Sequence, residues 1–144
     1  MRAAAIVGLL LLSGCSRHAE TVPALRTAGP NVTGREVRYN AVLALAHRGS
    51  VRIMDDGVWD VLLEMLDENE QLRNYTPRNG GPPDETAART TVISALQAVR
   101  ELHAKEPKMD LSKLKEPVEK LTHSPNATVS VQAKQTMLAL YPQS

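Results

Sequence analysis

Three segments of the chain carry the same spacing of small and apolar residues, and this repetition constrains the fold more than any other feature. Residues at positions i, i+4, i+7 and i+8 lie on one face of an α-helix. The spacing occurs in Val37-Arg38-x-x-Ala41-x-x-Ala44-Leu45, Ala88-Arg89-x-x-Val92-x-x-Ala95-Leu96 and Val129-Ser130-x-x-Ala133-x-x-Thr136-Met137. Their first residues are 51 and 41 positions apart. One helical unit used about three times predicts a short stack of packed helices.

Further helices are predicted between the three repeats. Val58, Val61, Leu62, Met65 and Leu66 form the cleanest amphipathic pattern in the chain. A stretch rich in glycine and proline at 76–83 predicts a loop, and Pro117 predicts a delayed start or a kink in the fourth helix. The predicted helices cover 34–48, 56–68, 84–105 with Asp84 as the N-cap, 110–123 and 127–141.

The amino-acid composition supports an all-α fold. Aromatic residues make up 3% of the chain and phenylalanine is absent, so a core must be built from aliphatic side chains and methionine. Strands draw heavily on aromatic and β-branched residues, whereas leucine, alanine and methionine favour helices. The sequence therefore predicts a short α-solenoid of about two and a half helical hairpins.

Residues 34–142 resemble HEAT repeats. The segment Glu36-Val-Arg-Tyr-Asn-Ala-Val-Leu-Ala-Leu45 is similar to the first helix of that repeat. The segment Lys115-Glu-Pro-Val-Glu-Lys-Leu-Thr-His-Ser-Pro-Asn-Ala-Thr-Val129 is similar to the end of a second helix, a short turn and the next first helix. The third repeat departs from the pattern, with Ser130 where Arg38 and Arg89 are basic. The resemblance implies a helical solenoid that contacts other proteins.

The N-terminus resembles a bacterial lipoprotein signal peptide covering residues 1–14. The apolar run from Ala3 to Leu12 is too short to span a bilayer core of about 30 Å. It ends in Leu12-Ser13-Gly14-Cys15, which resembles the lipobox. The resemblance implies cleavage before Cys15 and acylation of that residue with palmitate-type chains. Ser16 in the next position favours the outer membrane.

Residues 15–33 then form a tether rich in turn-forming residues. The alternative for Cys15 is a buried free thiol in an ordinary N-terminal helix.

Charge and motif content exclude several classes of function. A net charge of +1 lacks the basic excess that nucleic-acid binding requires. No metal-binding, nucleophile or phosphate-binding motif is present, and His47, His103 and His123 fall near predicted helix ends. We therefore expect no enzyme activity, no cofactor, no metal and no small-molecule substrate.

The predicted function is that of an envelope lipoprotein, anchored in the bilayer through Cys15, that acts as a scaffold or adaptor for an unidentified protein. Two alternatives remain: an enzyme or enzyme subunit of the HEAT-like lyase type, and a structural spacer without a specific partner.

Two clusters are candidates for contact with that protein. Residues 55–70 contain seven acids and no base, which favours either an acidic binding face or a solvated helix surface. Trp59 beside them either anchors a partner or packs under a neighbouring helix. The predicted loop at 73–83 carries arginine and tyrosine and is either a recognition loop or a tolerated insertion. The candidate contact residues are Trp59, Asp60, Glu64, Asp67, Arg73, Tyr75 and Arg78.

Overall fold

A computed structural model of the chain describes residues 32–142, and all regular structure in that range is helical. The predicted all-α class is confirmed. Cys15, the predicted signal peptide and most of the predicted tether lie outside the described residues. The helices are α1 (Val32–His47), α2 (Asp56–Leu66), α3 (Glu68–Asn74), α4 (Glu85–Lys105), α5 (Lys115–Leu121) and α6 (Ala127–Leu140). Short 3-10 turns at Val51–Met54 and Ser112–Leu114 precede α2 and α5.

Local chemistry sets several of these boundaries where the sequence predicts them. The Asp84 carboxylate accepts the Ala87 N–H at 2.9 Å and caps α4. After α1, Gly49 adopts a φ of 64°, a conformation that glycine tolerates best. Pro117 is the third residue of α5, where the missing N–H has no partner in the helix to lose. The delayed start of this helix is therefore confirmed.

The predicted helix over 56–68 is wrong at its end. The helix stops at Leu66, and Asp67 caps a further helix, α3, that the sequence analysis does not predict. The Asp67 carboxylate accepts the backbone N–H groups of Asn69 at 3.0 Å and Glu70 at 3.1 Å. An aspartate that bonds the backbone ahead of it competes with continuation of the preceding helix. The acidic segment is consequently divided between two helices.

Helix α4 occupies the centre of the structure and packs against α1, α2, α3 and α6. Helix α2 also contacts α1 and α5, and α5 contacts α6. The first, middle and last repeats thus supply α1, α4 and α6, with α4 between its neighbours. This order is the one that a short two-layer stack of helices requires. The solenoid arrangement itself stays a prediction.

The buried face of α1 differs by about one residue from the predicted face. Val37 is 43% exposed, whereas its repeat equivalents Ala88 and Val129 are 2% and 0% exposed. The predicted Ala41 and Leu45 are buried, at 8% and 1% exposure, and Val42 and Ala46 are buried beside them at 0% each. The physical reason is Tyr39, whose buried hydroxyl bonds to α2 and α3 and turns the helix toward them.

This register predicts a contrast between two valines of α1. Val42→Ala should destabilise the fold by about 2 kcal/mol, because it removes buried methyl groups and leaves a cavity. Val37→Ala should change the free energy of unfolding by less than about 0.5 kcal/mol. Urea denaturation followed by circular dichroism measures both values. A larger loss for Val37→Ala than for Val42→Ala would restore the register expected from the sequence.

Candidate functional site

An open groove of about 620 Å³ lies between the α2–α3 junction and α5. The second helices of the first two predicted repeats, α2 and α5, contribute one wall each. The groove therefore lies on the side of the molecule that these two helices form. Its volume falls within the range of about 300–1,000 Å³ that is typical of ligand sites. The lining residues are Leu63, Leu66, Asp67, Glu68, Asn69, Glu116, Pro117, Lys120, Leu121, His123, Ser124 and Pro125.

The groove combines an apolar floor with a charged rim. Leucine and proline side chains form the floor, of which Leu63 is only partly buried and remains accessible from the groove. The rim on the α3 side is acidic, with Asp67 and Glu68. The α5 side carries both signs, with Glu116 and Lys120. This arrangement suits a ligand that presents apolar groups flanked by charges.

One hydrogen bond crosses the end of the groove. The Ser124 hydroxyl donates to Glu68 Oε1 at 2.9 Å and joins the start of α3 to the turn after α5. The same serine hydroxyl accepts the Asn126 N–H at 3.1 Å. This hydrogen bond therefore links the two walls of the groove at this end.

A buried polar network holds α3 in place as the wall of the groove. Tyr39 of α1 is 4% exposed, and its hydroxyl donates to Glu64 Oε1 of α2 at 2.7 Å. Gln71 of α3 is fully buried and donates through Nε2 to the Tyr39 oxygen at 3.0 Å and to the Glu64 carbonyl at 2.7 Å. Burial and the bond to Glu64 raise the pKa of Tyr39 above its ordinary value of 10.0. Three helices thus share one set of hydrogen bonds.

The predicted acidic residues do not form a single face. Asp60 is exposed on α2, whereas Glu64 points toward α1 and pairs with Arg38 at 3.4 Å in addition to Tyr39. Asp67 caps α3 and lines the groove. Of these three acids, only Asp67 combines a structural role with a position in the groove.

Trp59 and the predicted loop residues lie elsewhere. Trp59 is 4% exposed within the core, and its buried Nε1 has no hydrogen-bond partner among residues 32–142. Of its two predicted roles, this position corresponds to packing under a neighbouring helix. The Tyr75 hydroxyl lies 3.0 Å from Thr91 Oγ1, and the Arg35 guanidinium lies 4.9 Å from its ring centroid. The predicted start of the loop at Arg73 is wrong, because Arg73 lies in α3, where it is exposed and pairs with Glu70; Arg78 is exposed in the loop. The structure therefore separates these candidates from the groove.

Sequence reasoning missed most residues of the groove, including Leu63, Glu116 and Lys120. The sequence contains one partial sign of the groove, which is Leu63. This apolar residue lies beside the core-facing stripe of α2, and a helix that contacts only the core does not need an apolar residue there. The groove also depends on how α2 and α5 meet, and no local pattern encodes that contact. Within residues 32–142, no group of histidine, cysteine and acidic side chains is arranged to hold a metal ion.

Comparison of the chain with protein families, curated proteins and solved structures finds no match. A search of the described helices for a membrane span finds none of sufficient length and hydropathy.

The polar network predicts the effect of removing one hydroxyl. Tyr39→Phe should destabilise the fold by about 1–3 kcal/mol, because Glu64 and Gln71 lose a buried partner. Tyr141→Phe is the matched control, since that hydroxyl donates only to the Leu111 carbonyl, at 3.3 Å, from a partly buried position. Chemical denaturation at neutral pH measures both variants. An equal loss of unfolding free energy for the two variants would show that the Tyr39 network stabilises the fold no more than the single hydrogen bond of Tyr141.

The raised pKa of Tyr39 predicts a loss of stability in alkaline solution. The unfolded chain releases the tyrosine proton near pH 10 while the folded chain retains it, so the free energy of unfolding should fall as the pH rises above about 10. The fall should be shallower in Tyr39→Phe, which has no proton to release at this position. Denaturation midpoints between pH 8 and 11.5 provide the measurement. An equal fall in the free energy of unfolding with pH for the wild-type protein and Tyr39→Phe would contradict a raised pKa at Tyr39.

Proposed function

We propose that this protein is a lipid-anchored scaffold or adaptor of the bacterial cell envelope, and that it binds a partner protein in the groove between α2–α3 and α5. The observation that carries the proposal is the groove itself, with its apolar floor, its charged rim and the hydrogen bond that links its two walls at one end. The HEAT-like resemblance supports the same reading, because it places α2 and α5 among the helices that face partners in such solenoids.

The chemistry of the groove favours a protein segment as its ligand. Interface cores are apolar and their rims are polar and accessible. Leu63 is placed to contact an apolar side chain of the partner, while Asp67, Glu68 and Glu116 are placed to attract basic side chains that flank it. The groove has no catalytic role in this function. Lys120 and His123 act only as polar residues on its rim.

The anchor in this proposal is Cys15. Acylation there would fix the chain to a membrane, because several acyl chains bind firmly where a single chain binds marginally. Residues 15–33 would connect the anchor to the helices, and the sequence after Cys15 favours the outer membrane. The protein would then concentrate its partner at the inner surface of that membrane.

The anchor is tested by metabolic labelling with palmitate in a bacterial host. The wild-type chain should incorporate label and sediment with membranes, whereas Cys15→Ser should lose both properties, since serine cannot form the thioether. Circular dichroism of the purified variant confirms that the helices are retained. Unlabelled wild-type protein, or membrane sedimentation unchanged by Cys15→Ser, would contradict acylation at this residue.

The groove is tested by two charge reversals on the same helix. Glu116 lines the groove and Glu119 does not, although both are exposed on α5. Glu116→Lys should reduce recovery of a cross-linked envelope partner about fivefold, equal to about 1 kcal/mol, through repulsion of its basic side chains. Glu119→Lys should leave recovery unchanged. Equal recovery with the two variants would remove the groove from the proposal.

A further inference from the structure

Helix α6 exposes large apolar side chains on the side that faces away from the core. Val131 is 51% exposed and Leu138 is 61% exposed, which makes them two of the most exposed large hydrophobic residues of the described chain. They are seven residues apart and therefore share one face of the helix. Lys134 lies between them, and no acidic residue occurs anywhere in α6.

The middle repeat shows that this apolar character is specific to α6. With Val129 equivalent to Ala88, the residues at the positions of Val131 and Leu138 are Thr90 and Gln97 of α4. Both polar residues are exposed, so the row faces solvent in each helix. Packing among residues 32–142 therefore gives no reason for valine and leucine in α6, whereas a contact with a surface outside those residues does.

A second copy of the chain is a poor occupant of this face. An antiparallel pair of α6 helices that placed Val131 against Leu138 of the other copy would have its two-fold axis near Lys134. The two ammonium groups would then meet at the centre of the contact, with no acid on either helix to compensate them. Like charges opposed in this way destabilise an interface.

We propose that the face formed by Val131, Lys134 and Leu138 docks on a lipid surface that contains anionic phospholipid. Valine and leucine would enter the boundary between headgroups and acyl chains, and the lysine would extend its ammonium to a phosphate. The absence of acids from α6 favours the same partner, because a carboxylate here would be repelled by that surface. The three side chains give this face of α6 the apolar and basic groups that such a surface accepts.

This contact would also orient the groove. Val129, Ala133 and Leu140 lie on the opposite side of α6 and are buried toward α4 and α5. Since α5 packs on α6 and forms one wall of the groove, docking of α6 on a bilayer would fix the orientation of the groove relative to that membrane. That consequence rests on the proposed function, whereas the lipid contact of α6 requires only that the chain be tethered to a membrane by some means. Two apolar side chains bind weakly alone, but a tether to the membrane raises their effective concentration.

The test couples the chain to vesicles chemically, so that it does not depend on acylation in a cell. The chain from Cys15 onward is joined through its thiol to a maleimide lipid in vesicles of brominated phosphatidylglycerol and phosphatidylcholine. Gln135→Trp places a fluorophore beside the proposed contact, and Asp60→Trp places one at an exposed position of α2 as the control. Bromine quenches tryptophan only at short range, and the native Trp59 is common to both.

Emission of the Gln135→Trp protein should fall by roughly half on brominated relative to unbrominated vesicles, with no fall for Asp60→Trp. Adding Val131→Thr and Leu138→Gln, the residues of the middle repeat, should abolish the quenching while circular dichroism stays unchanged.

Equal quenching at both positions, or quenching that survives the double substitution, would overturn the proposal. So would a dimer of the uncoupled chain that the same substitution dissociates. Failure of palmitate labelling in cells would bear on the anchor alone.

Discussion

The structure depends on the burial of one long helix. Helix α4 has 21 residues and buries a broad stripe that includes Val92, Leu96 and Val99 at 0% exposure. A stripe of this width needs cover on several sides, and α1, α2, α3 and α6 supply it. The free energy gained by removing these side chains from water fixes the order of the surrounding helices. Both surfaces proposed to act, the groove and the outer face of α6, are positioned by that packing.

The groove exists because polar chemistry interrupts the amphipathic pattern beside α4. Asp67 ends one helix and begins another, and Tyr39 and Gln71 then hold the new helix against α1 and α2. An uninterrupted helix would carry its acids along one solvated side and leave no junction. The buried network places its polar groups at low dielectric, where satisfied hydrogen bonds rigidify and an unsatisfied one is costly. Stability and the shape of the binding surface therefore share the same side chains.

The sequence is sufficient for the fold class and for features with a local cause. The helical spacing, the Asp84 cap, the loop at 76–83 and the effect of Pro117 each depend on a few neighbouring residues. It is insufficient where distant residues decide the outcome: Tyr39 rotates α1 through partners 25 and 32 positions away, which leaves Val37 exposed. The same long-range contacts direct the partly buried Glu64 from the predicted acidic face toward α1. The sequence does not decide whether Trp59 anchors a partner or packs under a neighbouring helix. Amphipathic spacing alone does not show which edge of the apolar face of α2 another helix covers.

Native-state hydrogen exchange tests the central role of α4 most directly, because it measures the stability of each helix separately. The account predicts that the amides of Val92, Leu96 and Val99 exchange only when the whole domain unfolds, with a free energy equal to that from denaturation. The amides of α1 and α6, each covered mainly on one side, should exchange through smaller openings. Exchange of the α4 amides at a lower free energy than those of α1 or α6 would contradict the account.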